Sequence, residues 1–272
     1  MPSDYRDGAT YDRISAPLER IGIEVLARLA LRGDETVLDA GCGSGRVTQA
    51  LVERVPRGHV IGVDGSPEMI DAARDRLGDD AELLVQDLNE LDLGGRRVDA
   101  ILSTATFHWL DDHPHLFGRL RAALRTGGQL AAQCGGEGNT AELVAATRAV
   151  GAREPFAEDL AGWPGPWHFP APRQAAANMR SAGFTDVRAW LVTRAAPYED
   201  LRAWLRVNAL TAHLARLPAD LRDRYLDEVI AELGPDPSIA YIRLNLDATA
   251  AEPFALRPER RAEHDPRRND QR

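Results

Sequence analysis

The segment Val37-Leu38-Asp39-Ala40-Gly41-Cys42-Gly43-Ser44-Gly45 carries the densest chemical signal in the chain. An apolar run leads into three glycines at alternate positions and then into a helical pattern. Glycine permits a sharp turn and lets a ligand approach the backbone where a β-carbon would block it. A turn between the carboxyl end of a strand and the start of a helix is where open α/β sheets bind nucleotide-like ligands. Asp64 closes the next apolar run, Val60-Ile61-Gly62-Val63-Asp64. In a parallel sheet it stands beside the glycine turn, where a carboxylate can accept both hydroxyls of a ribose. A dinucleotide fingerprint requires a small sixth residue so that the helix packs close beneath a pyrophosphate. That position is Arg46, and the Gly-x-Gly-x-Gly form suits a ligand without a pyrophosphate. The plain alternative is a glycine turn with a solvated acid, and the two parts at this separation outweigh it.

His108 follows the apolar run that ends at Ser103, which places it at the ligand edge of a sheet. It is a candidate orienting donor or general base, with a structural histidine bonded to the backbone as the rival reading. A second candidate base, His168, sits in Trp163-Pro164-Gly165-Pro166-Trp167-His168-Phe169-Pro170. Residues 155–172 hold five prolines, two tryptophans and two phenylalanines. Such a stretch reads as an ordered loop or lid that excludes water from a small acceptor, or as a hydrophobic cluster under a long loop. Trp109, Trp163, Trp167, Tyr241 and Arg243 are the candidate acceptor contacts, with Arg206 in the same region; each also reads as an ordinary packing or surface residue. His113 and His115 flank a helix start and are expected on the surface. No acid or cysteine stands at ligand spacing around them, so no metal is expected.

The chain of 272 residues contains no lysine; all 33 basic residues are arginine, against 42 acids, for a net charge of −9. Schiff-base chemistry, a Walker-type phosphate loop and a kinase site each need a lysine and are excluded. The acidic balance argues against nucleic-acid wrapping. Met1 to Arg13 shows no secretory signal, no apolar run nears the roughly 20 residues of a membrane helix, and Cys42 and Cys134 form no disulfide framework. The expected setting is cytoplasmic, with a small-molecule partner, as a monomer or homodimer.

Positioning these residues requires alternating elements. A helix is expected from Ser15 to Gly33. Strands are expected at Thr36–Ala40, His59–Asp64, Glu82–Gln86, Val98–Ser103 and Gln129–Cys134, and helices at about Gly45–Val55, Pro67–Leu77, Pro114–Arg125 and Thr140–Gly151. This alternation predicts an α/β fold with a parallel sheet covered on both faces. Further on, Ala175–Ala182 reads as a helix and Val187–Thr193 as a strand. Two helices follow, split at Pro218. Ile239–Leu246 alternates and predicts a strand with one buried face. Residues 1–252 are expected to form one domain: a cofactor half over 10–135, and an acceptor half over 136–252 with the lid at 155–172 and the helices at 198–233. Residues 253–272 read as a disordered tail.

As a set, residues 37–45, Asp64-Gly65-Ser66-Pro67-Glu68-Met69, Gln86-Asp87-Leu88, Val98–Ser103 and Leu124–Leu130 resemble the successive motifs of class I methyltransferases that use S-adenosylmethionine. With Phe107-His108-Trp109 the layout is similar to the trans-aconitate methyltransferase group. The resemblance covers about residues 10–135 and weakens after Cys134. It implies a doubly wound, Rossmann-like sheet in the order 3-2-1-4-5-7-6, the last strand antiparallel, with a lid or cap between strands 5 and 7. It also implies roles. Gly41 and Gly43 lie under the methionine part of the cofactor, with Cys42 as a small packing residue between them. Asp64 and Gly65 hold the ribose, Met69 packs on the adenine, and Asp87 and Leu88 meet its edge. Ser103 and Thr104 face the amino group, and Tyr11 covers the methionine end. Met69 also reads as core and Asp87 as a turn cap. The expected activity is methyl transfer to a small molecule, preferentially to an oxygen of a carboxylate or hydroxyl. Two other classes stay open: a nicotinamide-dependent oxidoreductase on a similar sheet, and a protein that binds S-adenosylmethionine as a non-transferring scaffold.

Overall fold

A computed structural model describes residues 19–195, 200–237 and 239–251. Tyr11 and the tail at 253–272 lie outside the described residues. Strands β1 (Thr36–Ala40), β2 (His59–Asp64), β3 (Glu82–Val85), β4 (Val98–Thr104), β5 (Leu124–Gly135), β6 (Phe184–Ala195) and β7 (Ala240–Ala250) form one seven-stranded sheet in the order β3-β2-β1-β4-β5-β7-β6. The first five run parallel to one another, and β7 runs antiparallel to both β5 and β6. This is the expected order. All of β1, β2, β4 and β5 therefore end at one edge of the sheet.

Helices cover both faces. Residues 19–26 form α1. It is followed by α2 (Arg46–Arg54), α3 (Pro67–Leu77), α4 (His113–Ala123), α5 (Ala141–Gly151), α6 (Ala157–Leu160) and α7 (Pro172–Ser181). Alternate residues of one strand serve opposite faces, as the two-residue period requires. Val37 shares a cluster with Leu51 of α2 and Val55 just past its end, whereas Leu38 shares one with Phe117 and Leu120 of α4 and Met179 of α7. The strands thus read as continuous apolar runs because both faces are dry. Ser66 starts α3 as expected: its hydroxyl accepts from Met69 N–H at 3.2 Å, and Pro67 opens the helix.

A third apolar cluster joins α5 and α6 to α8 (Leu201–Trp204), α9 (Thr211–Arg216) and α10 (Arg222–Leu233), with Tyr225 and Phe156 at its centre. It forms a cap beyond the carboxyl ends of the strands. The expected helix over 198–217 is broken. Leu205–Ala209 is a π-helical turn closed by Leu210 N–H to the Leu205 carbonyl at 2.7 Å. The wider turn leaves Leu205 and Leu210 buried while Val207 and Asn208 reach the cavity described below. The first helix stops at residue 26, earlier than Gly33, and further on the Glu35 carboxylate gathers the N–H groups of Arg32, Gly33 and Asp34 in a turn. β7 differs from expectation as well. Most of its residues are buried on both faces, since it lies between β5 and β6 rather than at an edge. No described helix is long and apolar enough to cross a membrane.

Asp39 is the one acid enclosed within β1. Its carboxylate accepts from Thr48 Oγ1 at 2.7 Å, and burial, with Asp64 nearby, pushes its pKa up to about 7. Between about pH 4 and 7 the folded chain holds a proton that the unfolded chain has released, so this contribution to stability falls as pH rises through that window. Asp39→Asn is expected to exceed wild type in stability by on the order of 3 kcal/mol at pH 8 and to match it near pH 4. Urea unfolding at the two pH values measures the difference; a variant that loses stability equally at both would refute the assignment.

Candidate active site

The glycine turn is shaped by its own hydrogen bonds. Gly41 and Cys42 N–H both donate to the Val63 carbonyl, at 2.8 and 3.0 Å, which ties the turn to β2. Gly43 N–H donates to Asp64 Oδ2 at 2.9 Å, and Gly45 N–H to the Cys42 carbonyl at 3.0 Å. Gly41 has φ +86°, and a β-carbon there would meet the Thr106 side chain; Gly43, at φ +52°, faces open space. Both conformations favour glycine. Because these N–H groups are consumed internally, the turn offers no nest for a pyrophosphate, which needs free backbone donors. Arg46, at the sixth position, faces Glu19 at 3.1 Å.

Around the turn lies a cavity of about 800 Å³ at the carboxyl ends of the strands. One end is acidic. Asp64 sits between Gly43 and Ser66, whose N–H donates to its other oxygen at 2.9 Å. Gly65, Met69, Asp87 and Leu88 line the same end. Asp87 also caps the short turn after β3 by accepting from Asn89 N–H at 2.8 Å, so the capping and lining readings both hold. Acids that face a cavity, a glycine opening onto it and two apolar side chains suit a cationic nucleoside that carries a ribose and a flat base. The residues present therefore fit S-adenosylmethionine.

The other end is aromatic. His108, Trp109, Trp167, Phe169, Trp204 and Tyr241 line it, with Gln133, Asn139 and Arg243 among them. The Trp167 and Phe169 rings lie 6.1 Å apart at 13°, and Phe169 lies 6.0 Å from the His108 ring at 28°. Antiparallel pairing places Arg243 of β7 opposite Gly135 at the end of β5, so the start of β7 enters the cavity edge. Arg243 is 2% exposed. Its Nε donates to Gln133 Oε1 at 3.3 Å, and its guanidinium lies 4.5 Å from the centre of the Tyr241 ring. Among the described residues no carboxylate pairs with it. A buried guanidinium without a counter-charge is costly unless a ligand supplies one.

His108 is buried, and Gly135 N–H donates to its Nδ1 at 3.3 Å. A nitrogen that accepts cannot carry the proton, so the proton sits on Nε2. Burial first, then the Arg243 and His113 charges, hold its pKa well below the usual histidine range. His108 is thus a neutral Nε2–H donor, and the general-base option falls away because Nδ1 is occupied by the backbone.

Four expected site residues, His168, Trp163, Ser103 and Arg206, do not line the cavity. The His168 backbone N–H donates to the His108 carbonyl at 2.8 Å, which turns its ring onto His113, 4.6 Å away. Trp163 packs on His213 at 4.8 Å beneath Arg216, inside the cap. Ser103 is enclosed and its hydroxyl donates to the Ala40 carbonyl at 2.6 Å; Thr104 beside it reaches the cavity. Arg206 pairs with Asp223 on the surface of the cap. His113, expected on the surface, is buried with Nε2 donating to the Phe107 carbonyl at 2.8 Å. Gln133 and Asn139 were missed by sequence reasoning. Gln133 had a signal, since it is the one polar residue within the apolar run Leu130–Cys134.

A family model described as a methyltransferase domain matches residues 37–128. A trans-aconitate 2-methyltransferase of Variovorax paradoxus is 33% identical over 233 residues, which cover 81% of this chain and 85% of that protein. Among solved structures, a phosphoethanolamine N-methyltransferase of Haemonchus contortus with bound S-adenosylhomocysteine shares the fold. Its TM-score is 0.62 at 18% identity, covering 92% of this chain and 58% of that one. The [4+2]-cyclase SpnF shares the fold too, with a TM-score of 0.57 at 18% identity over 86% of this chain and 82% of that one.

Proposed function

The chain belongs to the class I S-adenosylmethionine-dependent methyltransferases, and from that premise we propose that it methylates a carboxylate oxygen of a small acceptor held by Arg243 and His108. The observation that carries this reading is the buried guanidinium of Arg243, which lines the acceptor end of the cavity with no carboxylate partner among the described residues. The relatives named trans-aconitate 2-methyltransferase point to the same acceptor chemistry.

When bound, S-adenosylmethionine supplies a methyl group activated on a positive sulfur. In the proposed arrangement Asp64 would hold the ribose, Met69 and Leu88 would enclose the adenine, Asp87 would accept from its amine, and the glycine turn would support the methionine part. The cofactor contacts come from residues before about 135, whereas the acceptor contacts combine His108 with residues beyond it, Arg243 among them. Arg243 orients the acceptor through a fork of donors, which matches a carboxylate. His108 adds a fixed neutral donor. The Trp167 and Phe169 rings exclude water from the path between the two ligands. Once bound, the cofactor would supply the methyl and keep the carbon–sulfur electron pair on its neutral leaving sulfur, while Arg243 and His108 hold the acceptor oxygen in line. No proton moves, so a histidine locked as a donor suffices.

The test is a panel of small carboxylic acids, trans-aconitate included, with S-adenosylhomocysteine release and methyl ester formation both measured. A carboxylate is ionised well below neutral pH, so kcat is expected to stay flat between about pH 6 and 9. A rising limb near neutrality with an alcohol or phenol would overturn the carboxylate reading. Saturable cofactor binding with no turnover of any acceptor would favour the non-transferring scaffold.

A further inference from the structure

We propose, building on the reading that Arg243 holds the acceptor's carboxylate, that Asn208 on the π-helical turn of the cap is a specificity-determining contact that donates to a second oxygen of the acceptor. The segment's own contacts set its orientation. Arg202 pairs with Asp223 at 3.0 Å and with Asp227, and Arg206 pairs with Asp223, so one side is tied to α10. Leu205, Ala209 and Leu210 pack in the apolar cluster of the cap. The remaining side carries Trp204 and Asn208, and both line the cavity. Residues four apart share one side of a helix. A π-turn holds one residue more than an α-helical turn, and such turns recur at functional sites. Here the wider turn keeps Leu205 and Leu210 in the cap core while Asn208 reaches the cavity.

Asn208 Nδ2 is buried and has no hydrogen-bond partner among the described residues. A buried donor left unpaired is costly, so a ligand oxygen that meets it gains more than it would at an exposed amide. Neighbouring rings place this donor at the acceptor end. The Trp204 ring lies 6.5 Å from the Tyr241 ring at 77°, and Tyr241 lies under the Arg243 guanidinium at 4.5 Å. The acceptor thus meets a charged fork from the sheet and an amide donor from the cap, with aromatic carbon between them. A side-chain amide nitrogen only donates. Its counterpart is therefore an accepting oxygen, of a carboxylate or a carbonyl. Two such contacts fix both ends of an extended acceptor and disfavour an analogue that lacks the second oxygen.

The experiment uses the full chain with saturating S-adenosylmethionine and two matched acids, trans-glutaconate and trans-pent-2-enoate. They share one carbon skeleton and differ by the second carboxylate. Wild type is expected to show a kcat/KM about tenfold or more higher for glutaconate. Asn208→Leu is expected to raise KM for glutaconate about tenfold and to change kcat/KM for pent-2-enoate less than about threefold. Asn208→Asp keeps the side chain's shape without the donor and is expected to lose at least as much on glutaconate; it decides the matter if the leucine variant melts early. Calorimetry is expected to find S-adenosylhomocysteine affinity within about threefold of wild type in both variants. Equal losses on the two acids would show a packing role and overturn the inference. A fall of about tenfold in S-adenosylhomocysteine affinity would overturn it too, by placing Asn208 on the cofactor. Glutaconate turned over with no loss in either variant would overturn the inference and leave carboxylate methylation standing. If wild type neither binds nor methylates either acid, the carboxylate reading fails, and the inference with it.

Discussion

Asp64→Ala is expected to weaken S-adenosylhomocysteine binding about 100-fold or more, because two charge-assisted hydrogen bonds to a ribose are each worth roughly 1.5–3 kcal/mol. The wild-type carboxylate is already oriented: it accepts from Gly43 N–H and Ser66 N–H at 2.9 Å each. That arrangement fixes Asp64 before the ligand arrives and lowers the entropy lost on binding. Asp64 also anchors the glycine turn, so the circular dichroism melt of the variant is needed beside the titration. Asp64→Asn keeps an oxygen for one backbone donor and serves as the milder variant. It is expected to melt near wild type and still lose about tenfold or more in affinity. Calorimetry showing unchanged affinity in both variants would remove Asp64 from the cofactor site.

Arg243→Gln is expected to lower kcat/KM for a carboxylate acceptor by about 100-fold or more, since removing one member of a buried charge pair costs roughly 2–5 kcal/mol. Affinity for S-adenosylhomocysteine is expected to stay within about threefold of wild type, because the aromatic end is separate from the acidic one and distant sites act independently. Stability offers an independent readout. Without its ligand the Arg243 guanidinium is 2% exposed and lacks a carboxylate partner among the described residues. Its removal is therefore expected to leave the melting temperature unchanged or raise it, as buried uncompensated charge is unfavourable. Wild-type turnover in Arg243→Gln would refute the acceptor site. A collapse of S-adenosylhomocysteine binding along with turnover would show that Arg243 supports the whole cavity rather than the acceptor alone.

The two variants probe the halves of the molecule that differ most in how they read from sequence. In the cofactor half, each signal is local. Val37–Ala40 and Val60–Asp64 are short apolar runs, and both occur as strands with the expected ends. Ser66-Pro67 marks a helix start through a hydroxyl cap and a fixed φ, which depend on adjacent residues alone. Gly41, Gly43 and Gly45 all adopt positive φ, a backbone requirement that glycine announces directly. Parallel pairing then brings the ends of successive strands to one edge, so Asp64 beside the glycine turn follows from chain order. Where local periodicity misled, tertiary contacts had intervened. The helix expected across 198–217 opens into a π-turn at Leu205–Ala209, and β7 is buried on both faces because its neighbours are strands on each side.

The candidate acceptor contacts, drawn from both halves of the chain, were readable as a list and not as a site. His108, His168, Trp163, Trp167 and Arg243 have similar claims by residue type. The fold separates them through contacts between positions far apart in the chain. The Gly135 amide fixes the tautomer of His108 across 27 residues, and Gln133 meets Arg243 across 110. The backbone bond from His168 to His108 turns the His168 ring away, and the cap absorbs Trp163. The sequence alone thus determined the sheet order, through its family resemblance, and the glycine turn with Asp64 beside it, through short-range backbone preferences and chain order. Only the tertiary structure decided which arginine stands buried without a counter-charge among the described residues and which histidine is held as a donor. Those properties belong to the packing of β5 against β7 and the cap, where charge and hydrogen-bond partners are set by neighbours in space.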